Sequence, residues 1–576
     1  MKTRLISLVA SLLVGIAGCG GSGGGKNEPP PPPPPAPITK AEAFQFLNQA
    51  TFGATEAEAQ NVIDMRYEAW IDDQLQKPAS LQLPFLQAVP PPQFMFQLQP
   101  DRVDIWFRNA LHGDDQLRQR VAFALSEIMV VSQLGVLGNQ PYALASYYDM
   151  LAQNAFGNYR DLIEDVTLHP AMGAYLSMLG NEKPDPVRNI RPDENYAREL
   201  MQLFSIGLVE LNQDGSVRLD ADNQPIPTYD QAVIEGFAHV YTGWTYAGAA
   251  QFQGSFPTQS RQIIPMQLWP QFHDTDPKTL FPGVTLPAGQ TGDQDLADAL
   301  DNIFNHPNVG PFIAIRLIQR LVTSNPSPGY VSRVASVFNN NGSGVRGDLG
   351  AVVKAILLDD EARPALRMEL DGKVKEPIIR VAQLWKAYNA ASASGRYPYN
   401  FAYIIFGQGP LQSPSVFNFF SPFFAPAGEI RNAIVRYVGN YNQQPRRNGI
   451  GQAGEPVEQE ARRYEPPFSP PPRAEPNPYV APQSYPIDFP PIPQAPTLQP
   501  TINPFSLLAS LIGSLLGSGG MTNLLLLVLA AFALIRTFRK ATGQKLLLDD
   551  AAYQNVVDTL KKLIDPQTPK NPNANP

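Results

Sequence analysis

Between Pro192 and Gly207 the chain gathers two carboxylates, a guanidinium and two side-chain amides: Glu194, Asn195, Arg198, Glu199 and Gln202. At about 100° per residue these five fall in one sector of a helix, and Tyr196, Leu200, Leu203 and Phe204 fall opposite. A face of this kind suits general acid/base work or a divalent metal. It equally suits a solvated face, on which Glu194 and Arg198 at i and i+4 pair for roughly a few tenths of a kcal/mol. Pro192 and Asp193 predict the helix start, with Asp193 as N-cap, and Gly207 predicts its end.

The other groups able to move protons are five histidines: His112, His169, His239, His273 and His306. His169 stands directly before Pro170, at a predicted helix start. His273-Asp274 lies on a Pro-flanked stretch with Lys278 nearby. Joined to the glutamates, these give one candidate catalytic set: Glu194, Arg198, Glu199, His169, His273 and Asp274. Nothing in the spacing brings the three segments together, and no His-Glu-x-x-His pattern occurs. A satisfied structural role for each histidine is the simpler expectation. Glu235 and His239 sit at i and i+4, yet lie among Ile234, Phe237 and Val240, which favours packing. Asp220-Ala221-Asp222-Asn223 has the look of a calcium loop but lacks the sixth-position Gly and the closing Glu. Asp348, within Arg346-Gly347-Asp348, fits the N-cap of a helix. The aromatic run Phe417, Phe419, Phe420, Phe423 and Phe424 suits a groove, or more simply the core. The cofactor stays unknown; a divalent metal is the one these side chains would suit.

The elements that must position these residues are helical. Apolar residues recur at helical spacing over Ala41–Gln49, Thr55–Met65, Tyr67–Leu75, Asp101–Leu111, Gln116–Val131, Tyr142–Gln153, Tyr159–Val166 and Pro170–Leu179. The pattern resumes over Tyr229–Thr242, Gln294–Phe304, Val309–Val322, Tyr330–Asn339, Leu349–Leu358 and Lys373–Asn389. In Gln116–Val131, Val121, Leu125, Ile128 and Met129 share the apolar face, with Arg118, Arg120 and Glu127 on the polar one. Asp214-Gly215 between two short apolar runs predicts a β-hairpin near 208–228. The fold class expected is mainly α: a multi-helix body with that hairpin inserted.

The two ends read differently. Lys2 and Arg4 followed by Leu5–Ala17 have the form of an export signal, too short for a stable span. Ile16-Ala17-Gly18-Cys19 resembles the bacterial lipobox, and Cys19 is the chain's 1 cysteine. The resemblance implies cleavage after residue 18 and lipidation of Cys19. Gly20 in place of Asp implies the outer membrane by default. Residues 19–37 form a Gly/Pro tether holding eight of the 59 prolines. The body is expected over 38–436, a Pro-rich disordered linker over 437–504, an apolar membrane-associated segment over 505–540, and a polar tail with a short helix over 541–576. A span formed by 505–540 would place the protein at the inner membrane instead.

Several stretches together resemble the bacterial "domain of unknown function 1800" family. The most specific is Glu194-Asn195-Tyr196-Ala197-Arg198-Glu199-Leu200-Met201-Gln202-Leu203-Phe204-Ser205-Ile206-Gly207. Ala43–Gly53 resembles the family's opening, and Asp115–Ile128 its second block. Thr242-Gly243-Trp244-Thr245, Phe272-His273-Asp274 with Lys278, and Pro414–Pro422 resemble later blocks. These motifs run from about Lys40 to Ile430, after which the chain departs from the family pattern. The resemblance implies an exported, mostly helical bacterial protein and supplies no reaction. It also implies a partner, since members are often encoded beside an exported sulfatase-like family, "domain of unknown function 1501".

Composition narrows the function further. A net charge of −8, from 44 basic and 52 acidic residues, argues against a nucleic-acid partner. One cysteine excludes an internal disulfide framework and a Cys-based zinc cage. No P-loop is present, and no Gly-x-Ser-x-Gly elbow occurs in the expected body. The leading expectation is a lipid-anchored envelope protein with a binding or assembly role. The alternative is an envelope hydrolase, metal-dependent or not, using Glu194, Arg198 and Glu199 with His169 or His273.

Overall fold

The computed structural model describes residues 36–254, 258–363, 373–397 and 402–421. All of them belong to one of the two compact units into which the chain divides. The signal, Cys19, the linker, the 505–540 segment and the tail lie outside the described residues. Among the described residues no helix is long and apolar enough to cross a membrane.

The body is mainly α. Helices run over Lys40–Ala50, Glu56–Met65, Tyr67–Gln76, Gln99–His112, Gln116–Ser126, Pro141–Gln153, Tyr159–Leu168 and Pro170–Tyr175. Further helices are Gln231–Val240, Gly292–Phe304, Val309–Leu321, Pro328–Asn339, Leu349–Leu358 and Pro377–Ala387. A short helix at Leu83–Ala88 has no clear counterpart in the sequence periodicity. Starts are set by side-chain chemistry. Thr39 with Glu42, Thr55 with Glu58 and Thr291 with Gln294 each close a reciprocal capping box. Asp348 caps Leu349–Leu358 as its sequence position suggests.

Gln116–Ser126 is the central helix. It packs against Lys40–Ala50, Tyr67–Gln76, Gln99–His112, Pro141–Gln153 and Val309–Leu321. Neighbours on all sides leave it no solvated face, so the expected polar side is corrected: Arg120 and Glu127 are buried. Arg118 alone keeps partial access, its guanidinium 4.5 Å from the centre of the Phe156 ring. The helix also ends earlier than its apolar pattern, and Met129, Val130 and Val131 continue into the core without it. Phe52, Trp106, Phe107 and Phe123 form the aromatic centre, with edge-on contacts of 5.0–5.8 Å.

The hairpin near 208–228 is present as short segments joined by isolated bridges: Val209 with Pro227, Leu211 with Val217, and Leu219 with Pro225. Asp214 accepts from the Ser216 N–H at the first turn. Asp220 Oδ1 accepts from the Asp222 and Gln224 N–H groups at the second, so that carboxylate serves a turn. Asn308 anchors the root, donating from Nδ2 to the Ile206 and Val209 carbonyls and accepting from Leu211 N–H. The regular strands lie elsewhere. Trp244–Thr245 pairs antiparallel with Gln267–Leu268, and Lys278–Thr279 with Thr285–Leu286. Gly236 lets the Gln231–Val240 helix meet the second pair, because a Cβ there would lie 1.8 Å from the Thr279 carbonyl oxygen.

Candidate functional site

The Pro192–Gly207 segment forms a helix in two parts. Asn195–Glu199 is α-helical, and Leu200–Ser205 widens into a π-helix. Ser205 Oγ donates to the Leu200 carbonyl at 2.6 Å, and the Tyr159 hydroxyl donates to the Phe204 carbonyl at 2.6 Å. These side chains add donors to carbonyls of the wider turn, and such turns recur at functional sites. Gly207, at φ 76°, ends the segment as predicted. The start differs by one residue. Glu194 occupies the N-cap position without a side-chain cap bond, while the Asp193 carboxylate accepts from Asn195 N–H at 2.8 Å.

The expected stripe divides. Glu194 and Arg198 are half-exposed and paired at 2.8 Å, and Gln231 donates to the second Glu194 oxygen at 3.0 Å. Glu199 stands at the edge of the sector, next to Leu203, and faces inward at 9% exposure. Its Oε2 has no hydrogen-bond partner. Burial pushes its carboxyl up to about 7 against a weaker opposing pull from Arg198. A carboxyl titrating near neutrality is what a general acid uses.

The histidines serve the fold. His169 caps Pro170–Tyr175: its Nδ1 accepts from Ala171 N–H at 3.1 Å, and its Nε2 faces the Ser146 hydroxyl at 3.3 Å. Burial takes it down to about 3, so it stays neutral at physiological pH. His306 Nδ1 accepts from Asn308 N–H in the same manner. His273 is 2% exposed, with Nδ1 3.0 Å from the Thr242 carbonyl and Nε2 3.0 Å from Asp295 Oδ2. Lys278 Nζ meets the same Asp295 oxygen at 2.7 Å, which completes a buried ion cluster. Asp274 pairs with His239 Nδ1. Burial would raise the Asp274 carboxyl, but the His239 bond, the Asp276 N–H and the nearby Lys278 together hold it below its usual value. Gly243, at φ 88°, allows this packing, since a Cβ there would come within 2.9 Å of His273 Cβ.

The six candidate residues therefore occupy three separate settings. No hydrogen bond or ion pair joins Glu194, Arg198 or Glu199 to His169, His273 or Asp274. Among the described residues no three His, Cys, Asp or Glu side chains are placed to hold a metal ion. Of the aromatic run, Phe417 is exposed and Phe419 and Phe420 are half-buried, less buried than the core reading expects, while Phe423 and Phe424 lie outside the described residues.

The residues around these histidines do outline a cleft of about 570 Å³. Leu168, beside His169, forms one wall. Trp244, beside Gly243, forms the floor with Met266 and Leu268. Leu296 and Ala297, beside Asp295, form the other wall, with Glu164 and Asp293 at the rim. Trp244 itself is 3% exposed, and its indole N–H is buried without a partner. Asp295 went unnoticed in the sequence because it follows Asp293 and Gln294 in a first helical turn, where acidic residues are ordinary.

The family described as "Protein of unknown function (DUF1800)" matches residues 45–509. The chain belongs to this family. The match continues past Ile430, beyond the last of the motifs. No curated protein and no solved structure matches the chain.

Proposed function

We propose that this family member is an exported, lipid-anchored envelope protein that binds a partner, with the Trp244 cleft as its recognition site. The observation that carries the reading is the cleft's lining: apolar side chains together with the carboxylates of Glu164 and Asp293, a mixture typical of binding sites. The histidines nearest to it are committed to a helix cap and to a buried ion cluster, so they stiffen its walls. The lipobox-like Ile16–Cys19 and the Gly/Pro tether support an anchored, exported setting, and an exported sulfatase-like protein is the partner the family resemblance suggests. The test is capture of partners from membranes by the full-length protein and by Ala297→Trp. That change sits at an exposed helix position on the cleft wall and would fill it. Loss of a defined partner in the variant supports the reading; equal capture refutes it.

The hydrolase alternative retains one observation, the Glu199 carboxyl held near 7. An envelope hydrolytic activity abolished by Glu199→Gln with the fold intact would favour it.

A further inference from the structure

A second cluster of charge lies away from the cleft. Arg120 and Glu127, on and just after the central helix, meet Arg320, the segment Lys373–Glu376, and Gln408 and Asn418. The Arg320 carbonyl accepts from both Arg120 Nη2 and Lys373 Nζ, which fixes these three residues in one hydrogen-bonding shell. Lys373 pairs with Glu376, and Gln408 Nε2 donates to Glu376 at 2.7 Å and to Glu127 at 3.3 Å. Lys375 donates to the Asn48 carbonyl.

The cluster is short of negative charge. Its four basic side chains, Arg120, Arg320, Lys373 and Lys375, face two carboxylates, Glu127 and Glu376. Burial, together with the nearby Glu376, raises the Glu127 carboxyl, which weakens its charge. Burial, then repulsion from Arg120 and Lys373, brings Lys375 down to about 7. The cluster is also short of acceptors. Arg120 is 1% exposed, yet its Nε and Nη1 have no partner, and neither does Arg320 Nε. Arg320 Nε stands 3.8 Å from Glu127 Oε2, beyond hydrogen-bond reach, and that oxygen is unpartnered too. Buried guanidinium N–H groups are costly to leave unmade. Lys373 and Lys375 keep partial exposure as residues, while the Lys373 side chain itself is 8% exposed.

We propose that Arg120, Arg320, Lys373 and Lys375 form a binding site for a small oxyanion, a phosphate or carboxylate group. Such a group supplies both missing quantities, negative charge and acceptor oxygens. Glu127, when protonated, would add a hydroxyl donor from its free Oε2.

The test is isothermal titration of the full-length protein with inorganic phosphate and, separately, acetate. Ionic strength is matched with chloride. The variants are Arg120→Met and Lys375→Met, with circular dichroism as the check on folding. Lys375→Met is the milder change, since it removes a single donor to a backbone carbonyl. The proposal predicts saturable binding to the wild type, weakened about ten- to a hundred-fold in each folded variant. The stronger of the two probes distinguishes a phosphate from a carboxylate site. Three results would overturn it: no saturable binding of either probe, binding matched by chloride, or binding unchanged in Lys375→Met.

Discussion

Replacing Glu199 by Gln isolates the cost of one buried carboxylate. In the folded protein Glu199 has an unpartnered oxygen, and burial holds it near 7 rather than 4.5. The sign follows from proton binding. Between pH 4.5 and 7 the folded chain keeps a proton that the unfolded chain has lost, so this group lowers stability as pH rises through that window. The full difference corresponds to ~3 kcal/mol at pH 8. Relaxation around the buried group and the Arg198 charge offset part of this, so the expected value is nearer ~1–2 kcal/mol. Glutamine fills the same space without ionising. Glu199→Gln is therefore expected to change stability little at pH 5 and to raise it by ~1–2 kcal/mol at pH 8. Denaturant melts of both proteins at the two pH values measure this. Equal differences at pH 5 and pH 8, or a variant less stable only at pH 8, would refute the reasoning.

Other substitutions follow from the same geometry. Lys278→Met leaves Asp295 facing His273 alone in a buried setting and should cost about 3–5 kcal/mol, read by thermal or denaturant melts. His169→Ala removes a helix cap and should cost about 1 kcal/mol or somewhat more, while His169→Asn recovers much of it. Glu194→Ala breaks a half-exposed ion pair and should change stability by less than about 1 kcal/mol. Gly243→Ala combines a positive φ with a close approach to His273 and should lower the melting midpoint more than Ala at an open, negative-φ glycine would.

Most helices were legible because apolar spacing and capping residues act locally. Tyr67–Gln76, Pro141–Gln153 and Leu349–Leu358 fall within about two residues of their sequence patterns. The Asp214-Gly215 turn was legible for the same reason. What the sequence concealed depends on tertiary surroundings. Arg120 and Glu127 look like a solvated face until helices cover that side too. Glu199 looks equivalent to Glu194 until the edge of the stripe meets the core. The π-turn at Leu200–Ser205 was concealed because part of its support, the Tyr159 hydroxyl on the Phe204 carbonyl, comes from a distant helix. The cleft was invisible for a similar reason: Leu168, Trp244 and Ala297 meet only through folding.

Quantitative capture of envelope proteins by the full-length chain, purified with its membrane, tests the binding account most directly. The account predicts a defined exported partner retained by the wild type and by Glu199→Gln, and lost in Ala297→Trp. Capture that is indifferent to Ala297→Trp would contradict it, as would a hydrolytic turnover that Glu199→Gln abolishes while the cleft variant leaves it intact.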